Sequence, residues 1–320
     1  MNKLIKTQVS EVRCIQASRC KNTGKEIYTL ELEYPRVVHS QLLTHSVFSK
    51  NSSSTRAVPI KAAIEQVRNN PAKYMWTENQ AGMQGSMITD EDKLNELNEG
   101  FAYARECTIG WVESLASKGA HKQNAGRLLE PFQNIKIVLT ATEWENWGWL
   151  RLDPDAQGEI ADLAKAMKEA RDTAEVMDIG PDEWHVPFVG RERDSKGVLQ
   201  YFIEDDGELL TVEEAKDVSV SVCAQTSYRK SDHSLEKAKR IQDMLVDGRK
   251  VHASPFEHIA TPITETSLEP NDCVDDRRYA RSWQKGITHM KRDGTFCSGN
   301  FSGWVQLRQL VKGHDKALYE

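Results

Sequence analysis

The sequence predicts a fold of mixed α and β structure, and two patterns carry that reading. The run "EIYTLELEY" (26–34) alternates with period two, so Tyr28, Leu30, Leu32 and Tyr34 share one face, as in a half-buried strand. Between Thr89 and Lys118, the residues Leu94, Leu97, Phe101, Ala104, Trp111 and Leu115 form the apolar stripe of a long helix. Further strand-like and helix-like runs alternate along the chain.

Pro35 ends the first strand. "RVVHSQLLTH" then has helical spacing, which sets Gln41 and His45 one turn apart on one face. A polar stretch, "THSVFSKNSSSTR" (44–56), follows directly. Thr89 is suited to cap the start of the long helix and Gly119 to end it. "RLDPDAQGEIADLAKAMKEA" predicts another helix, with Asp153 as its cap and Pro154 as its first residue. On that reading Arg151 lies just outside a helix N-terminus and Gln157 within the first turns, a favoured place for an anionic ligand. Residues 188–217 read as a hairpin insertion or tether, and "VSVSVCAQTSY" (218–228) as a strand by alternation. Ser234 to Asp247 is a helix with Leu235, Ala238, Ile241 and Leu245 inward; Asp293-Gly294 is a turn; the tail "SGWVQLRQLV" is helical.

The bulk numbers narrow the function classes. The 320 residues suffice for one large or two smaller domains, with 39% hydrophobic and 28% charged residues, ordinary for a soluble globular protein. A net charge of -6 argues against general attraction to nucleic acid or anionic membranes. Neither a signal-peptide core nor an apolar run of about 18 residues is present, so no membrane span is expected. The six cysteines (14, 20, 107, 223, 273, 297) form no CxxC pair, which suits free thiols in a reducing cytoplasm.

Polar residues of chemical interest fall in four places: Gln41, His45, Asn51, Ser52, Ser54 and Arg56; Arg127 in "NAGRLLEP"; Asn146, Arg151 and Gln157; and His252, Ser254, Glu257 and His258 in "HASPFEH". Singly, each has a plain structural reading: a polar loop, a snorkelling arginine, core histidines. His252 and His258 do not share a helix face, so no metal site is expected. No glycine-rich dinucleotide loop occurs, although arginines and serines can hold a nucleotide without one.

Together these segments resemble the flavin-dependent thymidylate synthases. "THSVFSKNSSSTR" resembles that family's signature of Arg-His-Arg, seven residues, Ser, then Arg two further on, with His45, Ser54 and Arg56 in register. "GRLLEP" is similar to its "ARxVLP" segment through Arg127. "ENWGWLRLDPDAQGEI" is similar to "xNFLxLRxxxHAQWEI" at Asn146, Arg151, Ala156, Gln157, Glu159 and Ile160. "CAQTSY" resembles "ARVSF", placing Ser227, and "HASPFEH" resembles "HxTPFEH". That last segment follows the signature here instead of preceding it, a circularly permuted order resembling longer, mostly phage-encoded relatives with "GNFRGW", similar to "GNFSGW" (299–304). Thr44, Ser46 and Ser52 depart from the family's two arginines and acidic residue; Asp155 and Gly158 replace its histidine and tryptophan.

The resemblance implies a central, mostly antiparallel sheet flanked by helices. It implies methylation of dUMP to dTMP, with methylenetetrahydrofolate, FAD and NADPH, at sites formed between subunits of a homotetramer. By the same carry-over, Gln41, Ser52, Ser54, Arg56, Arg127 and Arg151 serve the nucleotide, Arg151 and Ser54 being catalytic. His45, Asn146, Ser227, His252, Ser254 and Glu257 serve FAD, with Lys50 or Arg308 available to replace a missing cation. Residues 1–187 would form a nucleotide-binding half and 218–320 a flavin and folate side of one intertwined domain. Two alternatives use the same cradle: a deoxypyrimidine-monophosphate 5-hydroxymethylase, and a non-catalytic nucleotide-binding homologue without flavin. dUMP and dCMP are both compatible with Gln41, whose amide offers a donor and an acceptor.

Overall fold

A computed structural model describes residues 3–81, 85–227, 230–246, 251–264 and 283–315; Tyr228, Asp247 and Cys273 lie outside them. The architecture is α+β. Its centre is a six-stranded sheet of β1 (Leu4–Lys6), β2 (Glu11–Cys20), β3 (Glu26–Pro35), β4 (Ser49–Ser52), β5 (Asn134–Ala141) and β6 (Val176–Ile179). The order is β1-β2-β3-β5-β4, antiparallel throughout, with β6 added parallel to the second half of β2. Tyr28 stands opposite Ala141, and Leu30 opposite Leu139.

One face of the sheet packs on a helical layer. Leu30, Leu32 and Tyr34 of β3 meet Leu42 of α1 (His39–Leu43) and Ile160, Leu163 and Met167 of α6 (Gly158–Asp172). The strand is more than half-buried, because Ile27 and Thr29 on its other face are also sealed. Ile27 joins a second core with Val218, Phe256 and Trp304, so the alternation of β3 feeds two cores. A third cluster joins α2 (Ile60–Asn69) and α3 (Glu91–Ser117) to the 3₁₀ turn 126–132, through Ile64, Val67, Ile109, Val112 and Leu129.

α3 runs as the stripe predicted, but its cap is Asp90, whose carboxylate accepts from the Lys93 N–H at 3.0 Å, not Thr89. Gly119 ends it with φ +86, a left-handed conformation that glycine adopts without Cβ strain. α4 (Lys122–Ala125) and α5 (Glu145–Arg151) precede α6.

Further expectations are corrected. Asp153 and Pro154 do not start α6: Asp153 closes a local turn by accepting from the Asp155 N–H at 2.8 Å, and the helix begins at Gly158 after Gln157. Arg151 therefore ends α5 instead of preceding an N-terminus. The run 218–223 is helical, within α7 (Val212–Ala224). Its valine–serine alternation misled because Val218 through Cys223 are all buried, and a helix covered on every side keeps no polar face. A Thr211–Glu214 capping box starts α7 and takes residues 212–217 out of the hairpin region. That region is the antiparallel meander β7 (Gly190–Arg193), β8 (Leu199–Phe202) and β9 (Leu209–Leu210).

The remaining described elements are α8 (Leu235–Val246), with Ala238 and Ile241 buried as expected, and the strands β10 (Ala260–Pro262), β11 (His289–Met290), β12 (Phe296–Ser298), β13 (Phe301–Ser302) and β14 (Trp304–Gln306). Asp293-Gly294 turns β11 into β12. The tail is mainly not α-helical: Trp304–Gln306 pairs with β10, and only a 3₁₀ turn, Leu307–Leu310, follows. Gly303 (φ +76) breaks any helix there. Among the described residues no helix is long and apolar enough to cross a membrane.

Candidate active site

β4 is the organising element, an edge strand held to β5 with Lys50 opposite Leu139 and Asn51 opposite Val138. At its N-terminal end, His45 is buried and packs edge-on to Trp147 and against Phe48. The Arg151 Nε donates to His45 Nε2 at 3.2 Å, so the imidazole accepts there and carries its proton on Nδ1. Burial, then the positive charges of Arg151 and Lys50, hold His45 below its ordinary pKa. Arg151 Nη2 also reaches the Gln41 carbonyl (3.5 Å) and Thr44 Oγ1 (3.4 Å), while Lys50 Nζ donates to the His45 carbonyl at 2.8 Å. Two cations therefore bracket His45, at the place where Thr44 and Ser46 bring none.

The Gln41 amide is oriented by a relay. Gln157 Nε2 donates to Glu159 Oε2 at 2.9 Å, which turns Gln157 Oε1 toward Gln41 Nε2 at 2.5 Å. Gln41 Oε1 is left as an acceptor. Glu159 is fixed in turn by the Met75 N–H at 2.9 Å.

At the far end the polar loop is clamped to the C-terminal end of α7. The Ser54 N–H donates to Ser227 Oγ at 2.9 Å, and Asn51 Nδ2 to the Cys223 carbonyl at 3.2 Å. The Arg56 N–H donates to Ser54 Oγ at 3.3 Å. A cavity of about 1030 Å³ opens beside it, lined by Arg36, Ser53, Ser54, Lys122, Lys136 and Ser227 among others. A smaller one of about 380 Å³ lies between Lys50, Asn51, Ser52, Thr226, His252 and Ser254. Four segments far apart in sequence thus meet around β4.

Other expected residues stand apart. The Arg56 and Arg127 side chains are exposed and line neither cavity, although Gly126 lines the larger one. Asn146 is exposed on α5. Glu257 is ion-paired with Arg308, which is thereby engaged; Lys50 is the cation beside His45.

Several supporting contacts were not legible in the sequence, although Asn300 lies in "GNFSGW" and His258 in "HASPFEH". Asn300 Nδ2 donates to the Val47 carbonyl at 3.0 Å, and Gln306 Nε2 reaches Ser49 Oγ (3.2 Å), Asn300 Oδ1 (3.0 Å) and the Glu257 carbonyl (3.2 Å). The segment 300–306 thus braces β4 against the 3₁₀ turn Ser254–His258. Beneath that turn runs a buried chain. Arg191 Nη1 donates to Ser18 Oγ (2.8 Å), which meets His185 Nδ1 (2.8 Å); His185 Nε2 meets Thr29 Oγ1 (2.9 Å), then Thr140 Oγ1 (2.7 Å), then His258 Nδ1 (2.9 Å). Because Ser18 accepts from Arg191, the chain is satisfied when every hydroxyl donates onward toward His258. His185 then carries its proton on Nε2, and so does His258. Buried His258 Nε2 has no partner among the described residues.

Burial pushes His258 down to about 3 and His185 well below the ordinary histidine value. The unfolded chain binds these protons first. Their stabilisation is therefore complete above about pH 6.5 and is lost as pH falls toward the folded values, at about 1.4 kcal/mol per unit for each histidine. Urea melts near pH 7.5 and near pH 5.5 check this; a lower midpoint at the acid value is expected, and equal midpoints contradict it.

A family model described as thymidylate synthase complementing protein matches residues 25–174. No curated protein matches the chain. The matched stretch contains Gln41, His45, Ser54, Arg56, Arg127 and Arg151, while Ser227, His252 and Ser254 lie beyond it. Residues 25–174, which build β4 and both flanks of His45, thus match a model of the flavin-dependent thymidylate synthase family.

Proposed function

We propose that the protein is a flavin-dependent thymidylate synthase that converts dUMP to dTMP. Methylenetetrahydrofolate would supply the carbon, and NADPH would reduce the flavin. The observation that carries this reading is the convergence at His45, where Arg151 and the oriented Gln41 amide stand together. A uracil ring offers an N–H between two carbonyl oxygens. Gln41 Oε1 suits that N–H, and the Arg151 guanidinium suits a carbonyl oxygen where negative charge grows as the ring carbon reacts. A dianionic phosphate calls for hydroxyls and arginine forks at the far end. Ser54 would supply a hydroxyl from this chain, with Ser52 close by, and Arg56, exposed and close to it in sequence, would supply the fork by turning toward the phosphate.

The residues present fit a flavin nucleotide. The ammonium of Lys50, the Asn51 amide and the hydroxyls of Ser52 and Ser254 make a donor set suited to its phosphates. His45, Ser227, His252 and Ser254 would hold it; Glu257, engaged by Arg308, would act by positioning that pair. Asn146, exposed on α5, would meet a flavin held partly by another subunit. When bound, FAD supplies the hydride chemistry, and the chain's task is to bind, orient and polarise. Arg127, exposed and without an ion-pair partner among the described residues, would likewise reach a nucleotide on a neighbouring subunit of a homo-oligomer, a tetramer on the family pattern.

Arg56→Ala and Arg127→Ala are each expected to weaken dUMP binding by about 1–3 kcal/mol through loss of a charge-assisted pair. Calorimetric titration checks this, and unchanged affinity in both variants refutes the cradle. The activity itself is tested by incubating protein, dUMP, methylenetetrahydrofolate, FAD and NADPH and weighing the nucleotide product. A methyl product is expected; a hydroxymethyl product, or none, overturns the assignment.

A further inference from the structure

α3 is 27 residues long, about 40 Å, yet only Ile109 and Val112 along it are fully buried. The middle of its outer face, opposite those two, carries small and aromatic residues, with charges toward its ends. Cys107 lies at its middle and is exposed. Tyr103 and Trp111, one turn either side, are 74% and 66% exposed. Around them the face is stripped of bulk by Gly100, Ala104 and Gly110. A methyl group built on Gly100 or Gly110 would meet nothing within 4 Å, so the chain's own packing does not require either glycine. Each costs the helix about 1 kcal/mol relative to alanine. Small residues on an open helix face allow a second backbone to approach closely.

We propose that this face binds the same face of a second copy of the chain, antiparallel, with the two-fold axis at Cys107. In that arrangement each residue meets the one equally far on the other side of Cys107. Trp111 enters the hollow left by Gly100 and Ala104 of the other copy and contacts its Tyr103. The charges agree with this register. Glu96 and Lys118 stand eleven positions either side of Cys107, so each Glu96 faces the other copy's Lys118. Neither has an ion-pair partner within the chain among the described residues. The same rotation makes both pairs equivalent, as an isologous contact demands. A parallel pairing would set Glu96 against Glu96 and lacks this match. The inference does not rest on the catalytic reading, since self-association is measured without nucleotide or flavin.

The test uses the full chain in a Cys273→Ser background, so that Cys107 is the thiol examined. A short bismaleimide is expected to link two chains through Cys107, and Cys107→Ser to abolish the linked species. In sedimentation equilibrium, Trp111→Glu weakens the association step that permits this link about 100-fold or more, with the helical circular dichroism kept. Glu96→Lys and Lys118→Glu each weaken it about 3- to 10-fold, and the Glu96→Lys/Lys118→Glu double variant restores it to within about 2-fold. A double variant as weak as the single ones, no link at Cys107, or unchanged association in Trp111→Glu overturns the proposal.

Discussion

Thr140→Val is expected to lower the unfolding free energy by about 2–5 kcal/mol, although the two side chains have nearly the same shape. Thr140 is fully buried, and its hydroxyl joins Thr29 to His258. Valine leaves the Thr29 hydroxyl without its acceptor and His258 Nδ1 without its donor. Each stranded group costs about 1–3 kcal/mol, because neither has water to turn to. No cavity opens, so packing loss does not account for the effect. Thr140→Ser keeps the hydroxyl and should recover most of the stability. Urea unfolding near pH 7.5 measures all three proteins, and a Thr140→Val loss below about 1 kcal/mol removes the chain as a structural device.

Arg151→Ala is expected to reduce turnover about 10²- to 10³-fold, while dUMP affinity falls less. The guanidinium is positioned at the end of α5 by His45, Thr44 and the Gln41 carbonyl, so alanine removes charge where the uracil carbonyl would gain it. Arg151→Lys keeps a charge but not the fork that spans those three acceptors, and should rescue only in part. Loss of the nearby cation also lets the His45 pKa rise, although burial, its larger cause, still holds it down. Steady-state rates and the pH profile read both effects. Turnover within about fivefold of wild type contradicts the role assigned to Arg151.

What the sequence made legible follows from range. β3 and α3 are local patterns, and local patterns survive folding. The family resemblance too was legible, because its motifs are short and local. α7 was not, since valine and serine alternate equally well on a strand and on a helix buried all round; the Thr211–Glu214 box seven residues earlier was the signal to follow. The start of α6 failed for a related reason. Asp153 can cap a helix or close its own turn, and Asp155 took its bond. The bracing of β4 by Asn300 and Gln306, and the chain from Arg191 to His258, join residues more than 100 positions apart. Thr, Ser and Asn at such positions look like any surface residue until the partner is known.

The departures at Thr44 and Ser46 bear most directly on function. They remove two family cations beside the place assigned to flavin, and Lys50 stands beside His45 in their stead, across from Arg151. The visible absorption spectrum of the purified protein, reconstituted with FAD and recorded with and without dUMP, tests this most directly. Flavin bands that stay with the protein through gel filtration, and shift when dUMP is added, are expected. A protein that remains colourless after FAD is added contradicts a flavin-dependent site.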